Sequence, residues 1–206
     1  MLPSKSLQIG VITLCLLGAP LTGCRDTVEQ DAPSSRRPAI IKGENLWKRQ
    51  ARSYPESREG LRKCIKSIFS AKKRGKTKKF RAFVQELALT DADNFFKYTF
   101  KAALVPALTN HYKQNVESTL EAKVGDIITS AIASEKTRVR VFKIKSGDDS
   151  DATPLQKKAF SSMTTARNLW TVTFVKDDEE ATLKIWSFVY IDGGFRLIGD
   201  LSPLRE

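Results

Sequence analysis

The apolar residues between positions 53 and 88 follow the spacing of two amphipathic helices. The first helix is predicted to begin at a Ser53–Glu56 capping box and to run to about Lys72. The second is predicted over residues 77–88, after an interruption at Gly75. Residues spaced by three, four and seven positions share one face of a helix, so these apolar positions are expected to be buried. They are Leu61, Ile65, Ile68 and Phe69 in the first helix and Phe80, Phe83, Val84 and Leu87 in the second.

Helical character continues beyond residue 88. Thr90–Asp93 is predicted to start a short third helix, because acidic side chains favour the positive end of the helix dipole. Pro106 marks either a break or a helix start, and residues 107–119 are predicted to be helical. Residues 120–134 fit either a strand or a helix.

After residue 136 the apolar spacing changes to a period of two, which is typical of strands. An acidic turn over 177–180 is predicted to join the second and third strands, and Asp192–Gly194 gives the strongest hairpin signal, because glycine accepts a positive φ. Residues 146–154 are predicted to form a loop, and 155–166 a loop or a short helical turn. The predicted strands are 137–145, 169–176, 181–191 and 195–201.

This order of elements, with helices first and an antiparallel meander afterwards, indicates an α+β domain. The order over residues 54–202, together with the final strand and hairpin FVYIDGGFRLIG at 188–199, resembles the nuclear transport factor two-like superfamily. In that family, N-terminal helices pack into the mouth of a strongly curved antiparallel sheet and enclose a conical pocket. The resemblance implies the same cone-like arrangement here.

The resemblance also raises the question of what such a pocket would hold. The family includes isomerase-like and dehydratase-like enzymes and many non-catalytic binding domains, so the fold alone does not decide the function. Strand alternation puts Trp186, Phe188 and Tyr190 on one face, where they and Trp170 are candidate pocket residues, and core packing explains them at least as well. No family motif carries a catalytic residue onto this chain, so none is assigned. The polar side chains available to a pocket are His111, Tyr98, Tyr112, Tyr190, Asp126 and Asp200.

The N-terminus carries a different kind of signal. Lys5 precedes an apolar stretch, Leu7–Pro20, of about 14 residues, which is shorter than the roughly 20 residues of a membrane-spanning helix. The sequence Leu21-Thr22-Gly23-Cys24 follows directly and resembles the lipobox of bacterial lipoproteins. The resemblance implies cleavage before Cys24, a thioether-linked lipid on its sulfur and fatty acylation, such as palmitoylation, of the new N-terminus.

Three segments are therefore predicted. Residues 1–23 are a signal peptide that is removed, 24–45 are the lipidated cysteine with a polar, flexible tether, and 46–206 form a single α+β domain. The protein is expected in the bacterial cell envelope, anchored by its lipid and facing the periplasm. Arg25, which follows the cysteine where an aspartate would favour retention, points to the outer membrane by resemblance to the lipoprotein sorting rule.

Charge is concentrated in one part of the predicted domain. The chain has a formal net charge of +12, and residues 48–81 hold fourteen Lys or Arg against the two acids Glu56 and Glu59. Such a surface attracts anionic partners, including phospholipid headgroups, although a merely solvated basic face explains it equally well. Nucleic acid is disfavoured, because no nucleic-acid-binding motif is present and the nearby phenylalanines fit a core stripe. The predicted basic surface consists of Lys72, Lys73, Arg74, Lys76, Lys78, Lys79 and Arg81.

Most site chemistry is not supported by the sequence. Cys15 leaves with the signal and Cys24 carries the lipid, so the remaining Cys64 has no disulfide partner and falls on the apolar face of the first helix. The chain has a single histidine, His111, which makes a zinc site of nitrogen and sulfur ligands implausible. The acidic cluster at 148–151 lacks the spacing of a calcium-binding loop. No metal and no cofactor are predicted.

Two classes of function are compatible with these observations. The first is a non-enzymatic envelope lipoprotein whose domain binds a small apolar ligand or a protein partner, with a basic face directed at an anionic membrane. The second is a pocket enzyme of the isomerase or dehydratase kind on the same fold. The first is favoured, because no catalytic constellation is recognisable in the sequence.

Overall fold

The N-terminal part of the domain is helical, as the apolar spacing predicts. The computed structural model describes residues 53–176 and 183–205, which belong to one compact unit, Leu46–Glu206. The predicted signal peptide, Cys24 and the tether lie outside the described residues, as does the acidic turn at 177–180. The helices before the sheet are α1 Arg58–Lys73, α2 Thr77–Gln85, α3 Ala92–Thr99, α4 Val105–His111 and α5 Leu120–Ala133.

Helix α1 starts later than the capping box predicted, so that prediction is wrong. Its N-cap is Ser57, whose side-chain oxygen accepts a hydrogen bond from Gly60 N at 2.9 Å. Ser53 instead places its hydroxyl 3.5 Å from the carbonyl oxygen of Gly193 in the final hairpin. The sequence offers a serine at both positions, and a four-residue motif does not show which one has the extended backbone that an N-cap needs.

The remaining helices agree more closely with the sequence. Asp91 caps α3, and the hydrogen bond from Asn94 N holds the pKa of that carboxyl below its usual value. Pro106 lies in the first turn of α4, where a missing amide donor costs nothing. The ambiguous segment 120–134 is helical, as α5. Between α4 and α5 the chain forms a π-helical segment, Tyr112–Glu117.

The C-terminal part is a four-stranded antiparallel sheet in the order β1-β2-β3-β4, so the predicted meander is confirmed among the described residues. The last strand is shorter than predicted and ends at Leu197. Residues 154–162, predicted as a loop or a helical turn, form a helix, α6, with a capping box between Thr153 and Gln156. The strands are β1 Arg138–Ile144, β2 Leu169–Val175, β3 Leu183–Ile191 and β4 Gly194–Leu197.

Helices cover both faces of the central strand β2. Phe69 of α1 stacks on Phe174 with ring centroids 6.0 Å apart. On the opposite face, the side-chain amide of Gln156 in α6 donates to Thr171 Oγ1 and to Ser187 Oγ, each at 3.0 Å. Because neighbouring strand residues point to opposite faces, every residue of β2 is buried. The domain is therefore an α+β fold with an open antiparallel sheet between two unequal helical layers.

Candidate functional site

A bulge in β3 separates Trp186 from the other aromatic residues predicted to share its face. Val172 pairs with Ile185, but Trp170, two residues earlier on β2, pairs with Phe188. Between these two pairs, Thr171 of β2 lies opposite two residues of β3, Trp186 and Ser187, and the extra residue shifts the alternation. The prediction that Trp186 lies on the same face as Phe188 is therefore wrong, since Phe188 is fully buried whereas Trp186 is 37 % exposed.

The other three candidate pocket residues pack against one another. Trp170 and Phe188 are fully buried. The ring of Phe195 meets Trp170 edge to face at 5.5 Å and Tyr190 at 5.0 Å. Tyr190 is half-buried, and its hydroxyl donates to the carbonyl oxygen of Tyr54 at 2.7 Å. Trp170, Phe188 and Tyr190 thus fill the core beside β4, and the structure gives them no opening to solvent comparable to that of Trp186.

Trp186 lines a groove between the helical layer and the sheet, here called the Trp186 groove. Its volume is about 130 Å³. The π-helical segment and α5 form one wall, and β3 with the segment after β4 forms the other. Lys123 and Lys184 lie at its exposed rim, and Lys123 Nζ donates to the carbonyl oxygen of Asn115 at 2.7 Å. The apolar lining consists of Val116, Leu120, Val124, Ile127, Ile185 and Leu197.

Gly199 makes the close approach between the two walls possible. Its φ is +85°, a conformation that residues with a side chain rarely adopt. A Cβ atom at this position would lie 2.5 Å from Cγ2 of Val116, which belongs to the π-helical segment. A glycine is therefore required here both by the backbone and by the neighbouring wall.

A second groove, of about 420 Å³, lies on the other side of Trp186. Trp186 and Asp200 line both grooves, so the indole stands between them. The second groove is bordered by the first turns of α6 and by the C-terminal 3₁₀ turn Ser202–Arg205. Its further lining residues are Thr153, Pro154, Leu155, Lys158 and Arg205.

The single histidine lies at the rim of the Trp186 groove, next to an acid that the sequence places 89 residues away. His111 Nε2 is 3.2 Å from Asp200 Oδ1, and Asn115 Nδ2 is 3.3 Å from His111 Nδ1. This pattern assigns the tautomer in which Nε2–H donates to Asp200 and Nδ1 accepts. Both ring nitrogens therefore have partners within the protein.

Ser202 completes a serine, histidine and aspartate cluster, but without the geometry of a nucleophilic triad. Its hydroxyl oxygen lies 3.4 Å from His111 Nδ1 and 3.3 Å from Nε2. The two imidazole nitrogens direct their hydrogen or lone pair in diverging directions, so an oxygen equally distant from both is in line with neither. A serine nucleophile must be hydrogen-bonded to the nitrogen that takes its proton. The cluster is suited to holding the rim in place.

The remaining polar candidates lie elsewhere. Tyr98 is 65 % exposed on α3. Tyr112 is buried and accepts a hydrogen bond from Leu89 N at 2.7 Å, and burial raises the pKa of its phenol to about 12. Asp126 borders a different groove, between α1, α2 and α5. Cys64 is buried in the core, which confirms its predicted packing role.

The predicted basic surface divides into three groups. Lys72 Nζ lies 4.9 Å from the centre of the Phe80 ring, and Arg81 Nε donates to the carboxylate of Glu121 on α5 at 2.9 Å. Both side chains are thus turned towards α5. Lys73 and Lys78 are exposed. Arg74, Lys76 and Lys79 line a groove of about 610 Å³ between α1 and α2, here called the basic groove.

Sequence reasoning missed two members of the basic groove, Lys63 and Lys66. They precede the dense basic run at 72–81, so a search for charge density passes over them. The spacing of Lys63 and Lys66 relative to Arg74 could have identified them as members of the same surface. Lys63, Lys66 and Arg74 lie at intervals of three and eight positions, which puts them along one side of a helix with Ser67 and Ser70.

No group of three or more His, Cys, Asp or Glu side chains among residues 53–176 and 183–205 is arranged to hold a metal ion. Over the same ranges, none of the helices combines the length and the apolar character that crossing a bilayer requires. Comparisons of the chain with protein-family models, curated proteins and solved structures give no match. The function is therefore inferred from the residues and their geometry alone.

Proposed function

We propose that the protein is a lipid-anchored lipoprotein of the bacterial cell envelope whose domain binds a small apolar ligand in the Trp186 groove. The lipid is attached to Cys24, the domain faces the periplasm, and the outer membrane carries the anchor. The observation that supports ligand binding is the indole of Trp186, which is 37 % exposed on the wall of an apolar groove. Burying an exposed aromatic ring against a ligand is a strong contribution to affinity.

The size and the rim of the groove specify the ligand further. Its volume of about 130 Å³ is close to that of an apolar cavity that accepts a benzene ring, roughly 150 Å³. Lys123 and Lys184 are exposed and line the groove, and their positive charges favour an anionic substituent. The proposed ligand is therefore a ring-sized apolar group that carries a carboxylate or a similar anion.

The backbone of the groove wall gives independent support. The wall includes Asn115 and Val116, which belong to the π-helical segment Tyr112–Glu117. Helical segments of this kind are rare and occur frequently at functional sites. Here the segment carries Val116 against Gly199 and extends from His111 towards Leu120, so it shapes the groove directly.

The ligand proposal is tested by ligand-observed NMR of the full chain with benzoate and toluene. Both probes are expected to bind, and benzoate more tightly because of the rim lysines. Trp186→Ala is expected to weaken both at least tenfold, since an aromatic residue at the centre of a binding site contributes about 2 kcal/mol or more. Tyr98→Ala, at the other exposed large aromatic residue of the described chain, is the control. Equal binding by the Trp186 and Tyr98 variants would contradict the proposal.

The anchor proposal is tested separately, by native mass spectrometry of the membrane-extracted protein. The expected mass is that of the chain from Cys24 with a diacylglyceryl group and an amide-linked fatty acid. Cys24→Ser is expected to remove the lipid and to release the protein from the membrane. The same spectrum reports a retained small ligand or a protein partner, which is the alternative occupant of the Trp186 groove. An unmodified chain in the membrane fraction would refute lipidation.

The finer architecture proposed is the cone of the nuclear transport factor two-like superfamily. It is supported by the order of helices before an antiparallel meander and by the bulge in β3, because bulges increase the curvature of a sheet. An experimental structure with a sheet that does not curve around the helices would exclude it.

One observation favours a second function, a pocket enzyme of the isomerase or dehydratase kind. The His111–Asp200 pair borders the Trp186 groove, and an imidazole beside a carboxylate is a common proton acceptor. The test is deuterium incorporation at the α-carbon of cyclohexanone in heavy water, measured by NMR. Exchange that the wild type accelerates and His111→Gln abolishes would support the enzyme. Exchange at the uncatalysed rate in both proteins supports a binding function alone.

A further inference from the structure

Five basic side chains converge on the basic groove between α1 and α2. They are Lys63, Lys66, Arg74, Lys76 and Lys79. All five are exposed, and no carboxylate lines the groove with them. The remaining lining residues are Tyr54, Ser67, Ser70, Ala71 and Phe83.

The local fold explains the convergence. One side of α1 carries Lys63 and Lys66, the C-cap Arg74 follows the helix, and the chain then reverses at Gly75, whose φ of +64° suits a glycine. Helix α2 follows at once and brings Lys79 to the opposite wall. Residues that are separated by a helix and a turn in the sequence thus face a common space.

The nearby acids are engaged elsewhere. Glu59 pairs with Arg62, and Glu121 pairs with Arg81. Glu56 accepts from Asn168 at 3.0 Å and lies 3.8 Å from Lys143. Among the residues that the structure describes, the five basic groups of the groove form no ion pair. Like charges held together without a counterion repel, so an anionic ligand in the groove would relieve that repulsion.

The groove combines this charge with an apolar lining from Tyr54, Ala71 and Phe83. Ala71 is buried at its base and Phe83 is half-buried. The two large aromatic side chains that are exposed in the described chain, Tyr98 and Trp186, do not line it. Sequence-independent binding of single-stranded nucleic acid relies on aromatic rings on which bases stack, and this groove does not present an exposed one.

We propose that the basic groove binds the phosphate headgroups of anionic phospholipids at the membrane surface. The proposal deepens the membrane contact of the proposed function, because a lipid on Cys24 would keep the domain beside such a surface. It assigns the contact to particular residues: Lys63 and Lys66 belong to it, whereas Lys72 and Arg81 do not. Basic residues near an anionic leaflet bind additively and are weakened by salt.

Two variants that each lose two positive charges test this assignment. The full chain with Cys24→Ser, which carries no lipid, is mixed with phosphatidylcholine vesicles with and without 30 mol % phosphatidylglycerol, and binding is measured by co-sedimentation. Lys63→Gln with Lys66→Gln is expected to weaken binding to the anionic vesicles about thirtyfold, since each basic residue contributes roughly fivefold. Lys72→Gln with Arg81→Gln is expected to change binding less than threefold. Lys76→Gln with Lys79→Gln, on the other wall, is expected to repeat the first result.

Several results would overturn the proposal. Equal losses in the Lys63/Lys66 and Lys72/Arg81 variants would show that vesicle binding depends on net charge and not on the groove. Equal binding of the wild type to neutral and anionic vesicles would show that the groove does not recognise anionic headgroups. Binding of a 20-nucleotide single-stranded DNA that is lost in the Lys63/Lys66 variant, without vesicle binding, would assign the groove to nucleic acid. If Cys24 proved to carry no lipid, the proposed anchor would be refuted, but the vesicle result would not change. Failure of the anchor proposal is therefore distinguishable from failure of the basic-groove proposal.

Discussion

The Trp186 groove and the basic groove differ in how their polar groups are held. At the Trp186 groove, His111 is paired with Asp200 and Lys123 with a backbone carbonyl, while the walls are buried aliphatic side chains. At the basic groove, the cations are exposed and without ion pairs among the described residues. The Trp186 groove is thus an opening between closely packed apolar walls, whereas the basic groove is a charged surface over two helices.

The two grooves are therefore expected to respond differently to substitution, in stability and in binding. Walls that are closely packed contribute to the free energy of folding, so changes there are expected to destabilise the domain. Exposed charges contribute little to stability and act mainly on partners. Substitutions at the Trp186 groove are therefore expected to change unfolding and ligand binding together, whereas those at the basic groove are expected to change binding strongly and stability by no more than about 0.2–0.5 kcal/mol.

The largest effect on stability is expected for Gly199→Ala. The new Cβ would lie 2.5 Å from Val116 and would force a positive φ on a residue that disfavours it. Strain of about 1–2 kcal/mol and overpacking of about 1–3 kcal/mol predict a loss of about 2–5 kcal/mol in the free energy of unfolding, measured with urea. Gly75→Ala, in the turn between α1 and α2, is the matched control, because Gly75 also has a positive φ but nothing within 4 Å of a new Cβ. A Gly199 loss no larger than the Gly75 loss would mean that the walls are not tightly packed.

A smaller loss is expected for Tyr112→Phe. The Tyr112 hydroxyl accepts from the buried Leu89 N–H at 2.7 Å, and removing it leaves that donor without its partner. An unsatisfied buried donor costs about 1–3 kcal/mol. The control is Tyr98→Phe, at a ring that is 65 % exposed, which is expected to leave the urea midpoint unchanged. Equal midpoints for the wild type and the Tyr112 variant would show that water replaces the hydroxyl.

The same tyrosine predicts a dependence on alkaline pH. Burial raises the pKa of the Tyr112 phenol from 10.0 to about 12. The folded state therefore keeps a proton that the unfolded state releases, so this contribution to stability is complete below pH 10 and is lost as the pH rises to 12. Between pH 9 and pH 11 the wild type is expected to lose about 1 kcal/mol that Tyr112→Phe does not lose. Unfolding curves of the two proteins at both pH values measure the difference, and parallel losses would refute it.

The elements were largely predictable from the sequence, because local spacing decides them. Helical spacing located α2, the acidic start at Thr90–Asp93 located α3, and the change to a period of two located β1–β4. Residues 120–134 stayed ambiguous because the segment is apolar enough for either structure, and its packing against α1 and α2 decides for the helix.

The sites were much less predictable, because they depend on contacts between distant segments. The bulge that exposes Trp186 arises from the register of β3 against β2, which strand alternation does not encode. Arg196 is buried and donates to the carbonyl oxygen of Glu86 at the end of α2, at 2.6 Å, and the two residues are 110 positions apart in the sequence. His111 and Asp200 were both recognised as candidates, but their pairing followed only from the fold.

The smallest predicted effect concerns the basic groove and has the opposite sign. Lys63 and Lys66 lie three positions apart on α1 and neither has an ion pair among the described residues, so their like charges repel by about 0.2–0.5 kcal/mol. Lys66→Gln is therefore expected to stabilise the domain by that amount at low salt, and the gain is expected to vanish in 1 M salt, where screening removes the repulsion.

Lys113→Gln is the control, because Lys113 pairs with Asp93 at 2.7 Å and its loss is expected to be neutral or slightly destabilising. Urea unfolding at both salt concentrations measures the change. A clear destabilisation by Lys66→Gln would mean that the basic groove is part of the packed structure, and the contrast between the two grooves would fail.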